Sequence, residues 1–284
     1  MSPSTTNESS YASVNGLRMY YEVHGAGSPL ILLHGGFGGV GIFRQLLPHL
    51  ALPRRVIVPE LQGHGHTADI DRPLSFDFMA DDVAALLDAL WLPTADILGY
   101  SLGGGVALRT AIRHPAMVRK LVAVSTPYKS DGWHSEVRAG MRSINGEVAR
   151  SWIGSPMHQA YVSAAPHPED WPNLAEKTGQ LLRQDYDWSG DFAAIRAPTM
   201  LVVGDADSIR PAHAVEFFAL LGGGRRDAGC PAGGPARDDA LRHRALSAAG
   251  AHGDGFPRRA DAGSEISRAG AACLRGGTVA RLRG

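Results

Sequence analysis

Residues 95–113, "ADILGYSLGGGVALRTAIR", constrain this chain more than any other stretch. The apolar run from Ala95 to Tyr100 reads as a strand buried on both faces. From Leu102 to Arg113 the apolar residues fall at helical spacing, and Pro115 follows. Only Ser101 separates the two. So sharp a turn crowds the backbone and needs small residues on both sides, which Gly99, Gly103 and Gly104 supply. A strand feeding straight into a helix is the repeating unit of a mostly parallel sheet covered by helices.

That alternation runs through residues 30–221. "PLILLHGG" and "RRVIVPELQGHGHT" each read as a buried strand ending in a glycine-rich loop. Residues 77–91 read as a helix, "VRKLVAVST" and "APTMLVVGDAD" as strands, and "PAHAVEFFALL" as a helix opened by proline. Ahead of them, residues 14–23 alternate about Asn15-Gly16 and predict an antiparallel hairpin. The fold class is therefore α/β, a mostly parallel sheet with helices on both faces. Residues 131–190 show no strand pattern but hold Trp133, Trp152, Trp171 and Trp188 with Tyr161 and Tyr186. They read as a helical cap over the strand ends, with aromatics that chiefly supply packing area. The expected organisation is a disordered polar lead over 1–12, a core over 13–130, the cap over 131–190, more core over 191–224 and a distinct tail over 225–284.

Ligands of such sheets bind beyond the carboxyl ends of the strands. His34, Gly35, Gly36, Gly63, His64, Gly65, Ser101, Asp205 and Asp207 all fall there. Ser101 in G-x-S-x-G is a candidate nucleophile, with the Leu102 amide at the helix start as an oxyanion donor. The plainer alternative is a serine that caps the helix. In "HGGFGG" the glycines let backbone approach a carbonyl, and the amide of Gly36 or Phe37 is the second candidate donor. His34 lies too early to be the base and reads as structural. A serine hydroxyl needs a base, and that base an orienting acid. Asp207, just after a late strand, is the chosen acid, with Asp205 as alternative.

Composition narrows the partners. Net charge is zero over 284 residues, 44% of them hydrophobic and 20% charged, which gives no pull toward nucleic acid or an anionic membrane. No apolar run approaches the ~18 residues of a membrane span. The first dozen residues lack the apolar core of a secretory signal. Cys230 and Cys273 make no disulfide framework, so a cytoplasmic setting is expected. The aromatic insertion leans toward a small-molecule substrate with an apolar acyl or alcohol group.

"HGGFGG", "QGHGHT", "GYSLGG" and "GDADSIRP", spread over residues 14–221, together resemble the α/β-hydrolase superfamily. The likeness is greatest to its serine esterase, lipase and cofactor-free haloperoxidase-like branch. The resemblance implies an ester or related acyl substrate, an acyl-enzyme, the chain order Ser, Asp, His, and neither cofactor nor metal. Serine at 101 sets the chain apart from the dehalogenases and epoxide hydrolases of this fold, which use aspartate. The alternative is a non-catalytic ligand-binding relative.

The superfamily's histidine loop and closing helix should follow "FFALLGGG". Instead Ala, Gly and Arg exceed half of the residues from Arg225 on, and Tyr, Trp and Lys vanish. Such a segment buries too little apolar surface to offset its ordering entropy, and it shows no strand pattern. His213 is too close to Asp207 to be the base. His243 and His252 lie in the tail, and His252, in "GAHGDGF", is the candidate. A basic nucleic-acid arm is disfavoured, because its arginines alternate with Asp and Gly and lack aromatics for stacking. A shifted reading frame accounts for the change. "PARDDALRH" (235–243) can be encoded CCG GCC CGG GAC GAC GCA CTA CGA CAT. One base later the same bases read RPGTTHYD, which resembles the superfamily's histidine loop.

Overall fold

Asn15 and Gly16, at φ 47° and 81°, turn the chain between β1 (Asn7–Val14) and β2 (Leu17–His24). Two successive positive φ values match the twist of the flanking strands, which is why Asn-Gly marks a hairpin. The computed structural model describes residues 7–223 and 277–281. β1 begins at Asn7, inside the stretch that composition set apart as a disordered lead. The ladder with β2, from Asn7↔His24 to Val14↔Leu17, orders these polar residues, and only Ala12 and Val14 sink into the core.

Five strands run parallel: β3 (Ser28–Leu33), β4 (Arg54–Pro59), β5 (Ala95–Tyr100), β6 (Val118–Val124) and β7 (Thr199–Gly204). The sheet order is β1-β2-β4-β3-β5-β6-β7-β8. β8 (Gly277–Arg281) pairs antiparallel with β7. It lies in the tail where the sequence showed no strand pattern. The open edge of β7 offers unpaired N–H and C=O groups to any extended segment, so this pairing needs little side-chain signal. The other expectations for 224–276, including a disordered tail, lie outside the described residues.

The helices are α1 (Leu47–Leu50), α2 (Phe76–Ala89), α3 (Leu102–Arg113), α4 (Ser135–Arg142), α5 (Gly146–Ser151), α6 (Pro156–Ala164), α7 (Trp171–Arg183) and α8 (Pro211–Leu220). Ser75 caps α2 by accepting the Asp77 N–H. The central strands are apolar on both faces. Ile31, Leu33 and Ile57 join Met79, Val83 and Leu86 of α2 and Val106 of α3. Leu30, Leu32, Val56 and Val58 meet Phe43 and Leu47 on the other side. Each such side chain contributes about 1.5–3 kcal/mol by leaving water.

The order carries a functional consequence. From β3 the chain steps outward to β4, then returns to place β5 on the other side of β3. The loops after β3 and β5 therefore part in opposite directions and leave a crevice at the strands' carboxyl ends, where α/β sheets bind ligands. Between β6 and β7 the chain forms α4–α7. Trp171 is buried among these helices and donates its indole N–H to the Ala149 carbonyl at 2.9 Å.

Candidate active site

Ser101 stands where β5 becomes α3, at φ 53° and ψ −117°, a conformation that serine adopts only under strain. Its neighbours show what holds it. A Cβ on Gly99 would strike the Gly103 carbonyl, and one on Gly103 would strike the carbonyls of Leu33 and His34. A Cβ on Gly104 would lie 2.7 Å from the Thr126 side chain. The turn is thus closed tightly enough that only hydrogen fits. The Ser101 side chain makes no capping bond to α3, which removes the capping alternative.

Leu33 pairs with Gly99, so the loop after β3 lies beside the turn. A Cβ on Gly35 would come within 3.4 Å of Ser101 Cβ, and one on Gly36 within 3.9 Å of the Leu102 side chain. Phe37 follows at φ 59°, its ring packed edge-on to Trp152 and tilted against Trp171. Gly36, Phe37 and Ser101 line one cavity of about 1350 Å³, which continues between the loop and α6.

His34 and His64 are fully buried beneath this loop, their rings 5.1 Å apart. His34 Nε2 accepts the Leu61 N–H at 3.0 Å, so its proton sits on Nδ1 and is donated to the Gly35 carbonyl at 2.8 Å. His34 therefore ties two loops together, as its early position in the chain implied. Burial, reinforced by His64, pushes its pKa down to about 3, and burial takes His64 down to about 4. Both stay neutral when folded. The unfolded chain then binds more protons below the ordinary imidazole value of 6.5. Stability contributed by these rings is complete above about pH 6.5 and is lost as pH falls toward 4 and then 3. Each ring adds a slope of up to about 1.4 kcal/mol per pH unit. The urea midpoint should drop steeply between pH 6.5 and 4, and a flat profile there would contradict two buried neutral imidazoles.

Asp207 lies two strands from Ser101, beyond β7. Its Oδ2 accepts the Ser125 hydroxyl at 2.7 Å and the Gly204 N–H at 3.0 Å, and Oδ1 accepts the Ile209 N–H at 3.1 Å. Ser125, at φ 49°, follows β6 directly, and sequence reasoning passed over it although it too ends a strand. Backbone bonds link the three strand ends in turn: Ser101 N–H to Val124, then Ser125 N–H to Val202. Asp205 is exposed and, among the described residues, accepts the Ala206 N–H, so the two acids differ in their surroundings. His213 is buried, stacked 4.3 Å from the Tyr128 ring, and accepts the Tyr128 N–H. Burial lowers its pKa to about 4. It belongs to packing. His243, His252, Cys230 and Cys273 lie outside the described residues. Among the described residues no three His, Cys, Asp or Glu side chains could hold a metal ion, and no helix is long and apolar enough to cross a membrane.

The α/β-hydrolase family model, described by its fold, matches residues 28–154. The chain is 40% identical over 219 residues to the 2-hydroxy-6-oxo-2,4-heptadienoate hydrolase of Pseudomonas putida, covering 66% of this chain and 75% of that one. It is 34% identical over 227 residues to a pimeloyl-acyl-carrier protein methyl ester esterase of Chromobacterium violaceum, covering 72% and 85%. A meta-cleavage product hydrolase from Pseudomonas fluorescens superposes with a TM-score of 0.60 over 75% of this chain and 85% of that one, at 22% identity. The chain belongs to the α/β-hydrolase family. It is a hydrolase of that fold.

Proposed function

We propose that Ser101 is the nucleophile of a serine hydrolase. Its hydroxyl oxygen attacks the carbonyl of an ester or related acyl compound while the base takes its proton, and the amides of Leu102 and Gly36 hold the oxyanion, with that of Phe37 next in the loop. The C–O bond to the alcohol breaks, the alcohol leaves with that proton, and water then cleaves the acyl-enzyme to free the acid and Ser101. Asp207 orients the histidine that takes the serine proton. One observation carries this reading: a serine at φ 53° whose strained turn is enforced by three glycines and whose hydroxyl does not cap its own helix. Strain of ~1–3 kcal/mol persists where function uses it. α4–α7 act as a cap. Pro156, Met157, Ala160 and Ala164 of α6 give the cavity an apolar wall, which favours a substrate with an apolar acyl or alcohol part. The names of the relatives, a dienoate hydrolase and a methyl ester esterase, fit small acyl compounds of that kind. The cysteine usage agrees with a cytoplasmic enzyme.

On the shifted-frame reading, with the shift near codons 222–232, the base is the histidine of that frame; in the present frame the candidate is His252. As written, the chain keeps the oxyanion donors, nucleophile and acid, and its turnover is slow. A fluorophosphonate probe tests the nucleophile without needing turnover. Intact-mass and peptide analysis should place the adduct on Ser101, at a slow rate, and Ser101→Ala should remove it entirely. A non-catalytic ligand-binding relative would leave Ser101 unlabelled under the same exposure.

A further inference from the structure

The QGHGHT loop has no part in the reaction above, yet one buried side chain ties it to the loop after β3. Glu60, only 3% exposed, divides its two oxygens between them. Oε1 accepts the Val40 N–H at 3.0 Å, and Val40 opens the helical turn (Val40–Phe43) that ends the Gly35–Gly39 stretch. Oε2 accepts the His66 N–H at 2.6 Å and the His66 ring Nδ1–H at 2.9 Å. The glycines on either side are shaped by this carboxylate. A Cβ on Gly39 would lie 2.6 Å from Oε1, and one on Gly65 would strike the carboxylate itself. Three donors converge on one buried anion, and hydrogen bonds to a charged acceptor are roughly twice as strong as neutral ones.

We propose that Glu60 is a positioning residue for the oxyanion loop, anchoring its far end at Val40 so that the Gly36 and Phe37 amides stay aimed at Ser101. The near end is already fixed, since the Gly35 carbonyl accepts both the His34 ring and the Gly38 N–H at 3.1 Å. With both ends held, the loop keeps Phe37 at φ 59° without a glycine at that position. This role rests on the reading of Gly36 and Phe37 as oxyanion donors. A loop free at Val40 would bind an oxyanion only after reorganising, and preorganisation is what makes such donors effective.

Two variants of the full chain test it from opposite sides. Glu60→Gln keeps one accepting oxygen and loses the other, so one loop is released beside a buried unmatched donor. Val40→Pro removes the N–H and leaves Glu60 intact, replacing the buried valine side chain with the apolar proline ring. Proline suits the first position of a helical turn, and Gly39 before it is extended, as proline requires. Each variant should speed hydrogen exchange at the Gly38 and Ile42 amides by about tenfold or more, leaving the β3 and β5 amides unchanged. Fluorophosphonate labelling of Ser101 should slow by a similar factor. Where the oxygen that Glu60→Gln keeps faces His66, the double variant should be no worse than either single one, because both then cut the Val40 bond; where it faces Val40, the two effects should add. Exchange unchanged in both variants would overturn the proposal, as would faster exchange with labelling at the wild-type rate. If Ser101 fails to label even in the unaltered chain, the nucleophile assignment falls, and exchange alone then decides whether Glu60 holds the loop.

Discussion

Moving the downstream reading frame one base later, by a single-base change near codons 222–232, should raise hydrolysis of a simple ester by about a million-fold. The size follows from how a triad works. Loss of one member removes nearly all that the three accomplish together, and what survives, about 10^3–10^4 over water, comes from the oxyanion donors and binding. On the proposed reading this chain keeps those donors at Gly36 and Leu102 and the acid at Asp207, whose carboxylate accepts from Ser125, Gly204 and Ile209. What the proposed reading lacks in the present frame is a base. Under the encoding given for residues 235–243, the shifted frame supplies a His-Tyr pair inside PGTTHYD, in the chain order Ser, Asp, His. The comparison is direct: purified proteins of both frames, one generic ester, one pH, with Ser101→Ala in the restored frame as control. The control should return the rate to that of the present chain. Rates within about tenfold of each other across the two frames would defeat the frame reading. An efficient present-frame enzyme would turn attention to His252.

The strand-to-helix turn at Ser101 was legible because every constraint on it is local. Apolar run, glycines, serine and helical spacing all lie within nineteen consecutive residues, 95–113. The Asn15-Gly16 hairpin was readable for the same reason. What escaped depends on distant partners. Ser125 meets Asp207 across 82 positions, and Glu60 meets Val40 across 20. No periodicity records such a pair, although both Ser125 and Glu60 sit just past a strand's carboxyl end and could have been weighed there. Residues 7–12 looked like a polar lead because their order comes from backbone pairing with β2, which composition does not register. β8 was invisible for a related reason: an open strand edge accepts backbone, whatever its side chains. The separation of Asp207 from Asp205 also needed coordinates. Both acids follow β7, and only the strand-end geometry shows one accepting three hydrogen bonds and the other facing water.

Gly103→Ala should cost about 3 kcal/mol or more and should abolish Ser101 labelling, although it adds a single methyl group to a residue of a helix. Elsewhere in a helix that exchange stabilises by ~0.5–1 kcal/mol, through propensity and the unfolded chain's entropy. Gly140 in α4, with open space where its Cβ would go, should show that gain. At Gly103 the methyl meets the Leu33 and His34 carbonyls, the His34 oxygen at 2.5 Å. A flexible side chain could swing away. These atoms belong to the end of β3, which is hydrogen-bonded to β4 on one side and β5 on the other. The helix or the strand must shift, and overpacking of a well-packed site costs ~1–3 kcal/mol even where side chains give way. The same movement would separate Gly36 from Ser101, since both loops spring from these two strands. Urea denaturation and probe labelling of the two variants would decide it. Equal stability for Gly103→Ala and Gly140→Ala would mean that the turn is looser than its geometry shows, and that the strain at Ser101 is not enforced by the packing around it.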